Sequence, residues 1–274
     1  MTSRRRLLAA AALAFLLPVR AFCADAPAPV PVPADSLIDA RLTSVRGKVR
    51  VFEPTSPKGL PATVGLPLED GDRITVGAGG SVEISIDGAS VVRLGENSDF
   101  TLGSARRSGS IFHLTVGSLL AKLRKLAPGE NMEFRGPAAV AAVRGTELGV
   151  EAAGNESRVG VFDEGRVEVS NEAGKRTLEP NQETSVSEGK APAAPKPLER
   201  FADRRDGLDA LRERAKSLPA RWKKIAAGSR ADKRKTALVQ MRERAAKAQS
   251  ESKTTQKTEV KRPEHPAPVR KGTK

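Results

Sequence analysis

Between Leu37 and Glu188 the chain is interrupted at short intervals by Gly, Asn or Asp, and the runs between alternate apolar with polar residues. Gly47-Lys-Val-Arg-Val-Phe, Arg73-Ile-Thr-Val, Ser81-Val-Glu-Ile-Ser-Ile, Val91-Val-Arg-Leu, Ile111-Phe-His-Leu-Thr-Val, Arg158-Val-Gly-Val-Phe and Arg166-Val-Glu-Val-Ser all have period two. That period puts successive side chains on opposite faces of a strand, so each run is expected to have one buried and one wet face. Asp70-Gly71-Asp72, Gly77-Ala-Gly-Gly80, Asp87-Gly88, Gly95-Glu-Asn97, Gly117 and Glu164-Gly165 supply the turns, and Asp87-Gly88 predicts a tight hairpin. Short strands spaced about 8–12 residues apart restrict residues 37–188 to a mainly β fold, a β-solenoid or roll, or a sandwich. With few phenylalanines in this region and no tyrosine, its core is expected to consist of Val, Leu and Ile.

Groups that could carry out catalysis are sparse. His113 lies within a strand run and His265 near the C-terminus, and neither has the neighbours of a metal site. Gly77 to Gly80 leads into another strand, whereas a phosphate loop leads into a helix. Glu69, Asp70 and Asp72 flank a glycine in a turn, where solvent screens them, and they offer too few oxygens for calcium. No catalytic, cofactor-binding or metal-binding residue is predicted. An enzyme acting on envelope polysaccharide through these three carboxylates is the weakest of the readings.

Arg144-Gly145-Thr146 stands between two apolar runs. Glycine there marks a bend where backbones approach closely. The arginine is expected to direct its donors at carbonyls left open by the bend, and the threonine to close the turn.

The order Gly47-Lys-Val, Leu68-Glu-Asp-Gly-Asp-Arg-Ile-Thr-Val, Gly80-Ser-Val-Glu-Ile, Asp87-Gly88, Leu114-Thr-Val-Gly117-Ser-Leu, Ala141-Ala-Val-Arg-Gly-Thr-Glu-Leu-Gly-Val and Phe162-Asp-Glu-Gly165-Arg-Val-Glu-Val resembles the FecR domain over about residues 42–187. Gly71, Asp72, Gly117, Arg144, Gly145, Thr146 and Gly165 are the motif positions and structural corners. Leu148 stands where the family usually has Phe. The best-known members begin with a cytoplasmic anti-sigma segment and a transmembrane helix, whereas an export signal stands at residue 1 here. The resemblance therefore implies the periplasmic sensing or scaffold module without the cytoplasmic arm, and partners that are envelope proteins of receptor and sigma-factor signalling.

The two ends differ in character. Arg4, Arg5 and Arg6 precede the apolar run Leu7 to Val19 and then small residues, which predicts a signal peptide over 1–26. The run is too short to span a bilayer, and twin-arginine and general secretory export both fit it. Phe22 before Cys23, the only cysteine, disfavours a lipid anchor. A Pro-rich spacer follows over 27–36, and a second Pro/Ala linker covers 189–198.

Residues 191–274 hold 24 Lys and Arg against 10 Asp and Glu, a balance of +14 that equals the net charge of the whole chain. Residues 199–250 are predicted to be basic and helical, with Leu208, Leu211, Ala215, Leu218, Trp222 and Ile225 forming an apolar stripe. A break is expected at Pro219, a further helix capped at Ser229 to Asp232, and a disordered tail over 251–274. Arg212, Arg214, Arg221, Trp222, Lys223, Lys224, Lys233, Arg234 and Lys235 are the candidate contacts to an anionic cell-surface component or partner. Nucleic acid is disfavoured, because only Phe201 and Trp222 are present to stack on bases.

Together these features predict an exported, periplasmic, non-enzymatic protein-binding or scaffold module at the cell envelope, requiring no cofactor. A regulator of a sigma/anti-sigma system of the iron-uptake type is the alternative.

Overall fold

A computed structural model describes residues 36–56, 58–229, 231–233, 235–236, 238–240 and 243. The expected signal peptide, all but the last residue of the spacer, Arg234, Met241, Ala245 and the tail 251–274 lie outside the described residues.

Among these residues the strands in chain order are β1 (Ala40–Arg46), β2 (Val49–Phe52), β3 (Leu60–Pro61), β4 (Pro67–Leu68), β5 (Arg73–Val76), β6 (Ser81–Ile86), β7 (Ser90–Leu94), β8 (Asp99–Arg106), β9 (Gly109–Lys122), β10 (Met132–Arg135), β11 (Val140–Val143), β12 (Glu147–Ala153), β13 (Glu156–Val161), β14 (Val167–Asn171), β15 (Gly174–Leu178), β16 (Gln182–Ser187) and β17 (Lys196–Pro197). One helix, α1 (Arg205–Ile225), follows a short 3-10 turn at Ala202–Arg204.

The chain crosses repeatedly between two open sheets. The front sheet runs β3–β2–β5–β8–β9–β10–β11–β14–β15, antiparallel except for β9–β10. The back sheet runs β4–β1–β6–β7–β9–β12–β13–β16–β17, antiparallel throughout. Strand β9 belongs to both. Its first half pairs with β8 and β10 and its second half with β7 and β12. The bend falls at Gly117, whose φ of +101° favours glycine. A side chain there would also collide with Ser98. The Ser98 hydroxyl instead accepts the Ser118 N–H at 3.1 Å and closes the bend.

Apolar residues from both sheets form one core between them. Most are Val, Leu and Ile, as expected, but the centre of the front half is aromatic. Phe100, Phe112 and Phe134 stack across β8, β9 and β10 at ring separations of 5.9 and 5.1 Å. Few phenylalanines suffice because register places Phe134 opposite Phe112 and Phe100 diagonal to it.

The expectation of one wet face per strand holds for the front sheet and fails for the back one. In β6 and β12 nearly every residue is buried on both faces, because α1 covers the outer side of the back sheet. All six stripe residues join a second apolar cluster with Val91, Leu120, Phe162 and Phe201. Leu208, Leu211 and Leu218 are fully buried, each stabilising by about 1.5–3 kcal/mol. Phe201 enters a pit made by the facing pair Gly149 and Gly160. A Cβ at either glycine would come within 2.6 Å and 2.5 Å of the Phe201 ring.

Pro219 does not break the helix: α1 is continuous through it. The lost hydrogen bond and ring clash cost roughly 3 kcal/mol, and burial of Leu218 with packing of Trp222 and Ile225 on the same face offsets them. Beyond it, the Ser229 hydroxyl accepts the Asp232 N–H at 3.2 Å while Asp232 accepts the Ser229 N–H at 3.2 Å, a reciprocal cap for the helical residues that follow.

Candidate functional site

The Arg144 corner joins β11 to β12 and packs against two other chain segments. Gly145 has φ +98°, and a side chain there would overlap the Lys125 Cα and lie 2.6 Å from the Arg124 carbonyl oxygen. Backbone N–H groups of Leu123 and Leu126 donate to the carbonyls of Thr146 and Arg144 at 3.0 and 3.4 Å. Gly165, at φ +95°, presses on Thr146 from the other side. Buried Thr146 donates its hydroxyl to the Glu164 carbonyl at 2.8 Å. Glycine and threonine are therefore the staple.

The Arg144 side chain is not part of it. It is exposed and makes no hydrogen bond or ion pair among the described residues. The bend's carbonyls are already occupied by backbone N–H groups, so the donors expected to serve them are left over.

Gly71 and Asp72 form a second corner. The buried Asp72 carboxylate accepts the Glu69 N–H at 2.9 Å, and Asp70 accepts the Ala105 N–H at 2.7 Å. Gly71, at φ +82°, donates its N–H to the Leu102 carbonyl at 2.7 Å. Asp70 and Asp72 thus tie the turn to β8. His113 lies over Gly103, and burial followed by the charge of Arg135 pushes its pKa below the usual value.

Beside the Arg144 corner, a groove of about 1040 Å³ opens on the outer face of the front sheet. Its floor is a row of residues aligned across four strands, Glu133, Ala142, Glu168 and Thr177, and Arg144 and Lys125 lie at one end.

Residues 72–168 match the family model described as FecR protein. That stretch is FecR-like. The matched stretch runs from Asp72 at the first corner past Gly165 at the last, and two of the motif glycines, Gly145 and Gly165, line the groove. Two crystal structures, at 1.65 and 2.50 Å resolution, of a Parabacteroides distasonis protein described as a candidate anti-sigma factor align with 18% identity and a TM-score of 0.42. They cover 47% of this chain and 61% of that one, so the chain spans less than two thirds of that protein's length. No curated protein matches.

Of the basic residues singled out after the FecR domain, two are held inside the molecule. Arg212 pairs with Glu147 through its Nε at 2.7 Å, and with Asp163 and Asp209 at 2.7 Å each. Arg214 lies 3.2 Å from Glu83. Trp222 packs on the Asp87-Gly88 turn, where a Cβ at Gly88 would come 2.6 Å from its ring. These three fasten α1 to the back sheet. Arg221, Lys223, Lys224 and Lys235 are exposed, and Lys233 is half-buried.

Sequence reading missed the carboxylates beneath the helix. Glu83, Glu147, Glu151 and Glu183 are buried on the outer face of the back sheet. Burial is the largest single effect on Glu147 and opposes its ionisation, yet Arg212 and Lys122 together hold its pKa below the ordinary value. Their signal was present as Glu at alternate strand positions, but nothing local marked those positions as covered.

A further cluster joins β8, β9 and the loop before β10. Glu130 accepts from Arg124 at 2.7 and 2.8 Å, from the Ala127 N–H at 2.7 Å, and from Arg107 at 3.2 Å. The Arg124 hydrogen bonds, against the opposing effect of burial, lower its pKa to about 2. Because the folded value lies below the unfolded one, its stabilisation is complete above about pH 4.5 and is lost as pH falls through about 2. Glu130→Gln is expected to remove on the order of 2 kcal/mol at pH 7 and much less at pH 2. Equal losses at both pH values in urea unfolding would contradict the pairing. Among the described residues no group of three His, Cys, Asp or Glu is placed to hold a metal, and no helix is long and apolar enough to cross a membrane.

Proposed function

We propose that this chain is an exported, periplasmic, non-enzymatic FecR-domain protein that binds a partner protein at the cell envelope by strand addition, as part of sigma/anti-sigma signalling. The observation that carries this is the contrast among the four sheet edges. Three of them, β3, β4 and β17, are two-residue strands containing Pro61, Pro67 and Pro197, a common way of blocking an edge. The fourth, β15, has five residues, contains no proline and, among the described residues, pairs only with β14.

The β14–β15 hairpin turns through Glu172 and Ala173, so Asn171 and Gly174 form a hydrogen-bonded pair and the alternation leaves Lys175 and Thr177 aiming their amide groups outward. Lys175, Arg176 and Thr177 are all exposed. Such an edge recruits an extended segment through main-chain hydrogen bonds. The FecR family match favours a signalling partner. The structural roles of Asp70 and Asp72 disfavour polysaccharide hydrolysis.

Thr177→Pro removes one outward donor and leaves the β14 ladder intact, since that N–H takes no part in it. Cross-linking in the native envelope is expected to capture a partner with the wild-type chain and at least about tenfold less with the variant. Undiminished capture by a folded Thr177→Pro chain would exclude β15. Unchanged iron-response transcription in a deletion strain would exclude the signalling role and leave a scaffold. The exposed cations Arg221, Lys223 and Lys224 at the end of α1 would then hold such a scaffold at an anionic surface, each contributing about 1 kcal/mol near it.

A further inference from the structure

The groove beside Arg144 carries charge that the protein does not neutralise. Its four glutamates are all paired within the chain: Glu133 with Arg135 at 2.7 Å, Glu164 with Lys122 at 2.6 Å, Glu168 with Lys175 at 3.3 Å and Glu179 with Arg166 at 2.9 Å. Arg166 is the partner of one of these acids. Arg144 and Lys125 remain, both exposed and neither in an ion pair or side-chain hydrogen bond among the described residues.

The backbone that carries them is held on both sides. Gly145 brings the two backbones into contact, and the Leu126 N–H to Arg144 carbonyl bond fixes them at 3.4 Å. Two cations set on adjacent, locked segments leave only their side chains, and not the backbone, to be ordered on meeting a ligand. The volume suits a short segment of chain, and exposed Ala142 keeps the floor low between Glu133 and Glu168.

We propose that this groove binds an acidic peptide segment in extended form, with Arg144 and Lys125 receiving its carboxylates. Arg144 offers a planar fork of donors that matches a carboxylate in two-point contact, and Lys125 offers a point charge beside it. The paired glutamates along the walls disfavour a ligand that is anionic along its whole length, such as a sulfated glycan, because like charges would face each other past the first contact. This rests on the partner-binding role for the class of ligand, a protein segment, and concerns the face of the front sheet, which meets the outward amides of β15 at Thr177.

The test uses the full chain and a fluorescein-labelled, photo-cross-linkable peptide with two Asp residues at one end and uncharged Thr and Ser beyond them, with the analogue carrying Asn for Asp as control. Anisotropy at low ionic strength is expected to show binding of the Asp peptide that weakens at least about tenfold in Arg144→Glu/Lys125→Glu and in Ala142→Trp, and by less than about twofold in Lys58→Glu. Ala142→Trp fills the floor without changing charge, so it separates the groove from general attraction to the basic C-terminal region. Cross-links are expected on β11 and β14. Cross-links confined to residues 198–274, or undiminished affinity in either groove variant, would overturn the proposal. So would groove-dependent binding of a sulfated polysaccharide without binding of the peptide. Envelope capture through β15 should persist in Ala142→Trp, so loss of peptide binding and loss of the β15 interaction are read independently.

Discussion

Phe201→Ala is expected to destabilise the protein by about 3–5 kcal/mol, the range for removing a fully buried aromatic ring. The ring is 0% exposed and fills the pit between Gly149 and Gly160. It also meets Phe162 edge-on at 6.5 Å. The two glycines that wall the pit have no side chains to fill the space. The loss should appear in urea or thermal unfolding as a lower midpoint, together with increased amide exchange over residues 198–225. A variant that unfolds at the wild-type midpoint would mean that α1 is not anchored on the back sheet.

Arg212→Ala is expected to cost about 3 kcal/mol, slightly less than a fully buried pair because Lys122 still lies 3.0 Å from Glu147. Glu147 is 1% exposed, and loss of its main partner leaves a buried carboxylate under the helix. The physical cause is tested by the double variant Glu147→Leu/Arg212→Met, which should regain most of the lost stability, since it removes the buried charge as well as its partner. If the double variant is as unstable as the sum of two single losses, packing of the Arg212 stem outweighs the charge. With Arg212 in place, the lowered pKa of Glu147 makes the contact strongest above the ordinary carboxylate range and weakens it as pH falls through the folded value.

Both effects concern a segment whose sequence reads as a solvated basic appendage. The apolar stripe from Leu208 to Ile225 was legible, because helical spacing is a local property. Its destination was not. Arg212 meets a glutamate 65 residues away, and Arg204 meets one 53 residues away. Such distances are bridged by strand order, which pattern alone leaves open. Pro219 shows the same limit in reverse: the local penalty pointed to a break, and packing on both sides of the proline overrode it.

At the corners, the glycines were legible for a related reason. Gly71, Gly117, Gly145 and Gly165 all have positive φ, and a glycine between alternating runs reports a backbone constraint that only glycine meets without strain. Arg144 was misread as a carbonyl-binding staple because its sequence neighbours say nothing of Leu123 and Leu126, whose N–H groups reach those carbonyls first. The free guanidinium that results is what makes the groove a candidate site.

By itself the sequence determined the strand content, the turn positions and the FecR-like order of motifs, because period two and left-handed backbone act over a few residues. Tertiary structure alone decided that β9 bends to serve two sheets, that the outer face of the back sheet is covered, and which cations are neutralised and which are free. Those outcomes depend on what packs against a surface, and a chain's local pattern specifies the surface without specifying its neighbour.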